Sequence, residues 1–451
     1  MCLCLSPQQQ AVATISTHRN VFPVAWSAAM LAGAMATLPA HGATLLWSGN
    51  GTTQGGAGTW DTTNPHFGTS GTGPFGTVWN NTTNAADSVT FGGATSTATL
   101  GTDITVRGLT FNNASSVFAG GFSLTTGVST ALAISCGSST RATGGTISAP
   151  IVGTSGITLI GVAGPLVLTG SSTYTGVTTV SNNGDTQSGV RLNLGNGGTG
   201  GSIGSSSRVD VRANSIFCTN RSNSIVQGIH FPTITGSGSF IKAGAGTTIL
   251  TAANTYSGST SVTNGMLLVN GTIGSGPMTV AAAGAIGGIG KVSGRATISG
   301  TLSPGNATGV LTLGSLSLGS TSTSLIELPA AGTRGTDYDG VTTLNASGLT
   351  YGGAMDVAFG ASLLPDSTSF VIFDFAGSAS GSFSAISSTG YYAGTWTNNS
   401  DGTFSLAKDS QTLTFTQGTG ILSIVPEPAS LVIASLGIGL AAGVAVRCRR
   451  R

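Results

Sequence analysis

The best cluster of ionisable side chains in this 451-residue sequence consists of Arg334, Asp337, Tyr338 and Asp339. The two aspartates could share an oxygen-ligated cation such as Ca²⁺, and aspartates, calcium and a basic residue could together cleave an acidic polysaccharide. The alternative is a polar corner, because aspartate favours turns and follows a Gly-Thr step here. We favour the corner, and the sequence predicts no catalytic residue, no metal ligand and no cofactor.

Other residue types with catalytic potential are poorly placed. The segment Gly287–Lys291 resembles a phosphate-binding loop, but Ala285 replaces the required first glycine and Val292 replaces the Ser or Thr that binds magnesium. Glycoside hydrolysis needs two acids about 5–9.5 Å apart on one face, and Glu327 and Glu427 are the two glutamates of the sequence. The sequence therefore favours a protein without enzymatic activity.

The composition indicates an ordered chain of strands and turns. Charged residues make up only 7% of the sequence and hydrophobic residues 39%, and glycine occurs 72 times. Disorder generally requires low hydrophobicity and high charge, whereas Thr, Val and Gly favour strands and tight turns. Between the two ends the chain carries 11 basic and 13 acidic side chains, with no basic patch suited to nucleic acid. Cys136 and Cys218 in this part form either one disulfide or two buried thiols.

The N-terminal segment has the layout of a secretory signal peptide. A positively charged stretch precedes an apolar run at residues 21–38, and Ala40 and Gly42 supply the small residues of a cleavage site. We therefore expect export through the Sec translocon, with cleavage between Gly42 and Ala43. Residues 1–42 then form the signal peptide.

The C-terminal segment combines a short motif, an apolar run and a basic tail. The motif is Val425-Pro426-Glu427-Pro428, the apolar run covers residues 429–446, and the tail contains Arg447, Arg449, Arg450 and Arg451. A helix of this length spans about 27 Å, close to the hydrocarbon thickness of a bilayer. The arginines would remain on the cytoplasmic side, so we expect a single C-terminal transmembrane helix.

Together, these three features resemble the sorting tail of PEP-CTERM proteins over residues 425–451. The resemblance implies processing by an exosortase, a membrane transpeptidase-like enzyme, near Pro426, Glu427 and Pro428. It also implies a Gram-negative-type host that makes exopolysaccharide. In this interpretation the helix anchors the protein in the inner membrane only transiently, and the protein then reaches the cell surface or the extracellular matrix.

Alternating apolar and polar residues recur between the two ends, as in residues 296–302, and predict half-buried strands. There is also an internal repeat. Residues 168–180 return at 250–262 with Leu, Thr, Thr, Tyr, Gly, Thr and Val in the same places. Repetition at such a spacing predicts stacked units.

These repeats resemble the autotransporter-associated β-strand repeat of exported passengers, as do the segments Gly287–Gly294 and Gly300–Asn306. The resemblance implies an all-β fold, a right-handed parallel β-helix or β-solenoid. We expect the solenoid to cover residues 43–326 and a C-terminal β region at 327–424 to close it. The tryptophan-rich block at its start and the segment Phe370–Phe373 are the expected caps, because exposed end strands promote aggregation.

The functional hypothesis is a non-enzymatic structural or adhesive solenoid of the cell surface or matrix. Its outward Thr and Ser side chains would contact exopolysaccharide or neighbouring copies. Two alternatives stay open at this point. One is a secreted polysaccharide lyase or hydrolase on the same fold, and the other is a glycan-binding module.

Overall fold

The structure is a computed structural model. It describes residues 42–427 except 119, 128–129, 138–143, 162–163, 183–189 and 347. The internal contacts divide the chain after Ala40, and the description that follows concerns the second of the two units.

The described chain is all-β, with short strands in which buried and exposed residues alternate. Ser96–Leu100 and Ile157–Gly161 are examples, with every second residue buried. This period of two is the one that the sequence predicts, because successive side chains of a strand point to opposite faces. The strands form five sheets, four of them mainly parallel.

The first sheet contains, in spatial order, Thr77–Val78, Pro65–Gly68, Thr44–Trp47, Ser88–Phe91, Gly108–Phe111, Leu132–Cys136, Ile157–Gly161, Thr178–Ser181, Val209–Val211 and Ile234–Gly236. A short sheet contains Ile104–Thr105, Leu124–Thr125 and Ile151–Val152.

The long sheet contains, in chain order, Gly56–Trp60, Ser96–Leu100, Ser115–Phe118, Gly145–Ile147, Pro165–Leu168, Arg191–Leu194, Ile216–Thr219, Ser239–Lys242, Thr260–Val262, Thr272–Ile273, Met278–Val280, Lys291–Ile298, Val310–Leu318, Gly340–Thr343, Leu349–Tyr351, Phe373–Phe375 and Ala379–Gly381.

The third sheet, so called because it is the third of the large parallel sheets, contains Ile225–Val226, Thr247–Leu250, Gly265–Val269, Gly284–Gly288, Thr301–Pro304, Thr323–Leu328, Ala354–Phe359, Ala385–Thr389 and Gly394–Thr395. The closing sheet is antiparallel and contains Ser369–Val371, Ile421–Pro426, Gln411–Thr416, Thr403–Lys408 and Thr397–Asn398 in spatial order.

Successive turns of the chain stack in register. One inward column of the long sheet consists of Ile147, Leu168, Leu194, Thr219, Lys242, Val262, Val280, Ile298 and Leu318. Neighbours in this column are 18 to 26 residues apart in sequence, and adjacent strands lie about 4.8 Å apart. Each buried aliphatic side chain contributes about 1.5–3 kcal/mol. This is the arrangement of a parallel β-solenoid with one continuous core.

The N-terminal end of the solenoid is closed by aromatic side chains. Trp60 lies 5.2 Å from Trp79 and 5.6 Å from Phe67 between ring centroids, and all three are fully buried. Pro65–Gly68 pairs antiparallel with Thr44–Trp47 and so covers the outer edge of the first sheet. The expectation that the tryptophan-rich block caps the fold agrees with this packing.

The C-terminal end is closed by the antiparallel closing sheet. Its Phe415 packs against Tyr351, Phe373 and Phe383 of the last turns, with ring centroids 6.1–6.2 Å apart. Phe370 lies in the closing sheet, whereas Phe373 belongs to the long sheet. The expected cap segment therefore joins solenoid and cap.

One short 3₁₀ helix, Gly390–Tyr392, occurs among the described residues. Within this part of the chain no helix has the length and apolar character needed to span a membrane. The transmembrane helix predicted at 429–446 lies outside the described residues.

Candidate functional surface and processing sites

The repeated Tyr and Thr side chains form a buried hydrogen bond within each copy. The hydroxyl groups of Tyr174 and Thr178 lie 2.7 Å apart, and those of Tyr256 and Thr260 lie 2.6 Å apart in the second copy. All four side chains are buried, where an unpaired hydroxyl would be costly. The shared spacing of Tyr and Thr in the two copies thus places the same buried hydrogen bond in each copy.

The glycine of each copy is required by close backbone approach. A Cβ on Gly176 would lie 2.1 Å from the amide nitrogen of Gly156, and a Cβ on Gly258 would lie 2.2 Å from the carbonyl oxygen of Gly238. Both contacts join one turn to the turn before it. The repeat therefore encodes turn-to-turn stacking, as the sequence predicts.

An outward column of hydroxyl side chains runs along the long sheet. We call it the hydroxyl ladder, and it consists of Ser261, Thr279, Thr297, Ser317, Thr350 and Ser380. Each member pairs in register with the next, and all are exposed or half-buried. The hydroxyl oxygens are 3.2 Å apart in the pairs Ser261–Thr279 and Thr350–Ser380. The ladder is a regular row of hydroxyl donors and acceptors on the outward face of the long sheet.

The third sheet carries a groove of about 460 Å³ that includes two carboxylates. Glu327 is exposed and Asp356 half-buried, and the Ser387 hydroxyl donates a hydrogen bond to Asp356. Leu325 pairs in register with Asp356 and lines the same groove. The sequence alone does not bring these acids together, because residues 29 positions apart meet only through the register of two turns.

The ionisable cluster at residues 334–339, identified in the sequence, connects parts of the structure. The Arg334 guanidinium donates to the carbonyl oxygens of Val371 and Val341 at 2.8 Å, and to the Thr342 hydroxyl at 3.0 Å. Tyr338 packs edge-on against Phe370 at 5.1 Å. These contacts join the last solenoid turns to the closing sheet.

The two aspartates of that cluster accept hydrogen bonds from different amides. Asp337 accepts one from the Thr333 N–H at 2.6 Å. Asp339 is fully buried and accepts the N–H groups of Gly309 and Glu327, both at 2.8 Å. Burial raises the pKa of Asp339 to about 7 even though both amides favour the ionised carboxylate. This arrangement is that of a buried corner, the interpretation favoured from the sequence.

Lys242 is a buried ionisable residue that the sequence analysis did not identify. It occupies the inward column between Thr219 and Val262, and its ammonium donates to the carbonyl oxygens of Gly244 and Asn264, the latter at 3.0 Å. Burial lowers its pKa to about 8. The alternation through Phe240 would have placed it inside, so the signal was present in the sequence.

The two cysteines of the body are buried thiols rather than a disulfide. Burial raises the pKa of Cys136 to about 12. Cys218 receives a hydrogen bond from the Arg191 guanidinium at 2.9 Å. In the described part of the chain, no three His, Cys, Asp or Glu side chains lie together in a way that could hold a metal ion.

The sorting motif begins at the end of a strand in the closing sheet. Pro426 is the last residue of Ile421–Pro426 and pairs with Gln411, and the Glu427 N–H donates to the Ser410 carbonyl at 2.8 Å. Both motif residues are exposed. Pro428 and the tail residues Arg447, Arg449, Arg450 and Arg451 lie outside the described residues.

The predicted leader boundary lies at the first strand. The Ala43 N–H donates to Asp87 Oδ1 at 2.6 Å, and the Ala43 carbonyl accepts the Ser88 N–H at 2.9 Å. A Cβ on Gly42 would lie 1.6 Å from the Ala86 carbonyl oxygen. Ala43 is therefore integrated into the fold through both of its backbone polar groups.

Comparison with known proteins supports the resemblance of the repeats in the solenoid and that of the C-terminal sorting motif. Residues 163–185 and 240–269 match the Passenger-associated-transport-repeat family, and residues 425–451 match the PEP-CTERM protein-sorting motif. The Adhesin BmaC autotransporter of Brucella suis biovar 1 (strain 1330) is 34% identical over 241 residues. That alignment covers 51% of this chain and 7% of the relative, so the chain spans only a small part of that protein.

No solved structure matches the chain significantly. The two matched repeat segments contain the Tyr–Thr pairs described above, and the matched motif starts within the strand Ile421–Pro426. The chain is thus an exported cell-surface protein with passenger-associated-transport repeats in its solenoid and a PEP-CTERM sorting motif at its C-terminal end.

Proposed function

We propose that the protein is a non-enzymatic adhesive element that contacts exopolysaccharide through the hydroxyl ladder. The observation that carries the proposal is the register of Ser and Thr side chains over six successive turns. A polysaccharide chain is itself a repeating array of hydroxyl groups, and a row spaced at about 4.8 Å can exchange hydrogen bonds with it repeatedly. Each bond is weak, so affinity would come from their number.

The route to the surface is the second part of the proposal. The Sec translocon exports the chain, the helix at 429–446 holds it briefly in the inner membrane, and an exosortase processes it near Pro426, Glu427 and Pro428. The match of residues 425–451 to the sorting motif supports this route. We also propose right-handed winding of the solenoid, since parallel crossovers are right-handed in nearly all known folds.

The ladder is tested by replacing Thr279, Thr297 and Thr350 together with valine. Valine keeps the shape and the strand preference but removes the hydroxyl. We expect binding to the host's exopolysaccharide to weaken about tenfold or more, because three hydrogen bonds of roughly 0.5–1.5 kcal/mol each are lost. Sedimentation with purified polysaccharide measures the effect.

A matched control is available on another sheet. Thr110, Thr158 and Thr179 are half-buried threonines of the first sheet, and their replacement by valine should leave binding unchanged. Equal loss in both triple variants, or no loss in the ladder variant, would contradict the proposed surface.

A second candidate function is polysaccharide cleavage in the groove of the third sheet. The observation in its favour is that Glu327 and Asp356 share one groove as diagonal neighbours on paired strands. Hydrolysis with an intervening water would require their carboxyl groups to lie about 6.5–9.5 Å apart. Turnover of a polysaccharide panel, with and without calcium, that disappears in Glu327→Gln and Asp356→Asn would favour this candidate. Binding without turnover would support the adhesive function.

A further inference from the structure

Asp87 is a buried carboxylate beside the predicted leader boundary. Its side chain is 7% exposed. Oδ1 accepts the Ala43 N–H and Oδ2 accepts the Asn84 side-chain amide, both at 2.6 Å. The two ion pairs found among the described residues are Arg212–Asp210 and Arg334–Asp374, so no side-chain cation pairs with Asp87 there. A buried carboxylate that has only neutral donors carries an uncompensated desolvation cost.

The backbone at this point is held on both sides. Residues 44–46 pair in parallel with residues 88–90, and this pairing starts directly after Ala43. On the other side, Gly42 approaches the Ala86 carbonyl so closely that no side chain fits. Within the described part of the chain, Ala43 is therefore the first residue whose backbone N–H and C=O both bond to the solenoid. Gly42, just before it, lies close against the backbone of Ala86.

We propose that the mature chain begins at Ala43 and that its new α-ammonium group forms an ion pair with Asp87. The inference rests on the proposed export. A host signal peptidase hydrolyses the Gly42–Ala43 bond with water, so that Gly42 leaves as a carboxylate and the Ala43 nitrogen becomes an amine, which takes up a proton at neutral pH. The nitrogen already lies 2.6 Å from Oδ1. Processing thus converts a hydrogen bond between a neutral amide and the carboxylate into an ion pair and fixes the first strand.

The proposal predicts a defined pH dependence. An α-amine has a pKa of about 7.7–8.0 in an unfolded chain, and an adjacent carboxylate raises it. The folded state therefore holds the proton more tightly. While Asp87 is ionised, the ion pair stabilises the fold fully below about pH 8, and this contribution is lost as the pH rises through the raised pKa of the amine.

The test uses the chain starting at Ala43, released from a fusion by a site-specific protease, with its amine either free or acetylated. We expect the pKa of the Ala43 amine, measured by the pH dependence of its acylation rate, to be raised by about one unit. Acetylation should lower Tm between about pH 5 and pH 8 and have no effect above about pH 10. In Asp87→Asn, acetylation should leave Tm unchanged at every pH.

Asp103→Asn is the matched control, because this exposed aspartate also accepts a backbone N–H, that of Ser123 at 2.8 Å. The acetylation effect should persist in it. An amine pKa at or below 8, or an acetylation effect that survives in Asp87→Asn, overturns the ion pair. Terminal sequencing of the exported protein completes the test. Export with a first residue other than Ala43 overturns this inference alone, whereas retention in the cytoplasm overturns the proposed export.

Discussion

The two ends of the solenoid hold their proposed processing sites by different means. At the N-terminal end, Ala43 is bound by the buried carboxylate of Asp87 and by the backbone of Ser88. At the C-terminal end, Pro426 and Glu427 are attached through the hairpin that ends in Gln411. The first attachment includes a charge and a buried group. The second consists of exposed backbone contacts on one side of a strand.

The C-terminal attachment is one-sided because the neighbouring strand ends early. Ser369–Val371 pairs with the strand only as far as Ser423, and the Ile424 N–H donates to Thr368 at 2.8 Å. Beyond that point no strand of the described residues pairs with this edge, and Pro426 has no N–H to offer to it. Proline at such an edge prevents pairing with another chain. From this difference we expect the proposed leader boundary to be fixed tightly and the sorting motif to be released more easily.

The largest expected effect comes from removing one aromatic side chain at each end. Trp60→Ala and Phe415→Ala should each cost about 3–5 kcal/mol, because both rings are fully buried in aromatic clusters. Hydrogen exchange measures the local opening free energy of the affected turns. We expect only Phe415→Ala to accelerate processing of the sorting motif. Equal acceleration in Trp60→Ala would show that the two ends are coupled and would break the comparison.

The next effect concerns release of the C-terminal strand. Peptidases commonly bind substrates as extended strands, so the motif has to leave the hairpin first. Thr412 and Val425 are direct cross-strand partners, and the double variant Thr412→Cys/Val425→Cys should form a disulfide after export. We expect processing to slow at least tenfold, equivalent to about 1.4 kcal/mol, and to recover with a reductant in pulse-chase experiments.

The single variants Thr412→Cys and Val425→Cys are the controls for this lock, and both should be processed normally. Processing of the oxidised double variant at the rate of the single variants would show that the enzyme accepts the motif within the sheet. Alanine at Pro426, Glu427 and Pro428 is a separate test of the sorting route. Normal processing of that variant would contradict the route, whatever the lock shows.

The smallest effect is a pH dependence at the junction between the solenoid and the closing sheet. Burial raises the pKa of Asp339 to about 7, above its value of about 3.9 in an unfolded chain. The folded state therefore binds the proton more tightly, and this group's contribution to stability decreases as the pH rises from about 4 to about 7. Asp339→Asn should abolish that decrease in denaturant titrations. Asp337→Asn should retain the decrease in stability. If the decrease disappears in Asp337→Asn, Asp339 is not its source.

Much of the fold could be predicted from local patterns in the sequence. Alternation predicted the strands, and the two copies of the repeat predicted stacking, because Gly176 and Gly258 make the same close approach to the preceding turn in each copy. The position of the motif at 425–451 was equally visible. Each of these patterns lies within one continuous segment of the chain, so it can be recognised in a single sequence.

The relation between distant residues could not be predicted in the same way. Neighbouring turns differ in length, so the sequence does not show that Glu327 and Asp356 share a groove or that Asp87 meets Ala43. Register decides these contacts, and a change of one residue in a corner would move every side chain to the opposite face. The hydroxyl ladder is likewise a product of register rather than of composition.

The most direct test of the account is the intact mass of the mature protein released by its host. The account predicts a chain that starts at Ala43, retains the closing sheet and lacks the apolar and basic residues that follow the sorting motif. A mass that still includes residues 429–451, or one that shows cleavage within the strand Ile421–Pro426 before Val425, would contradict it.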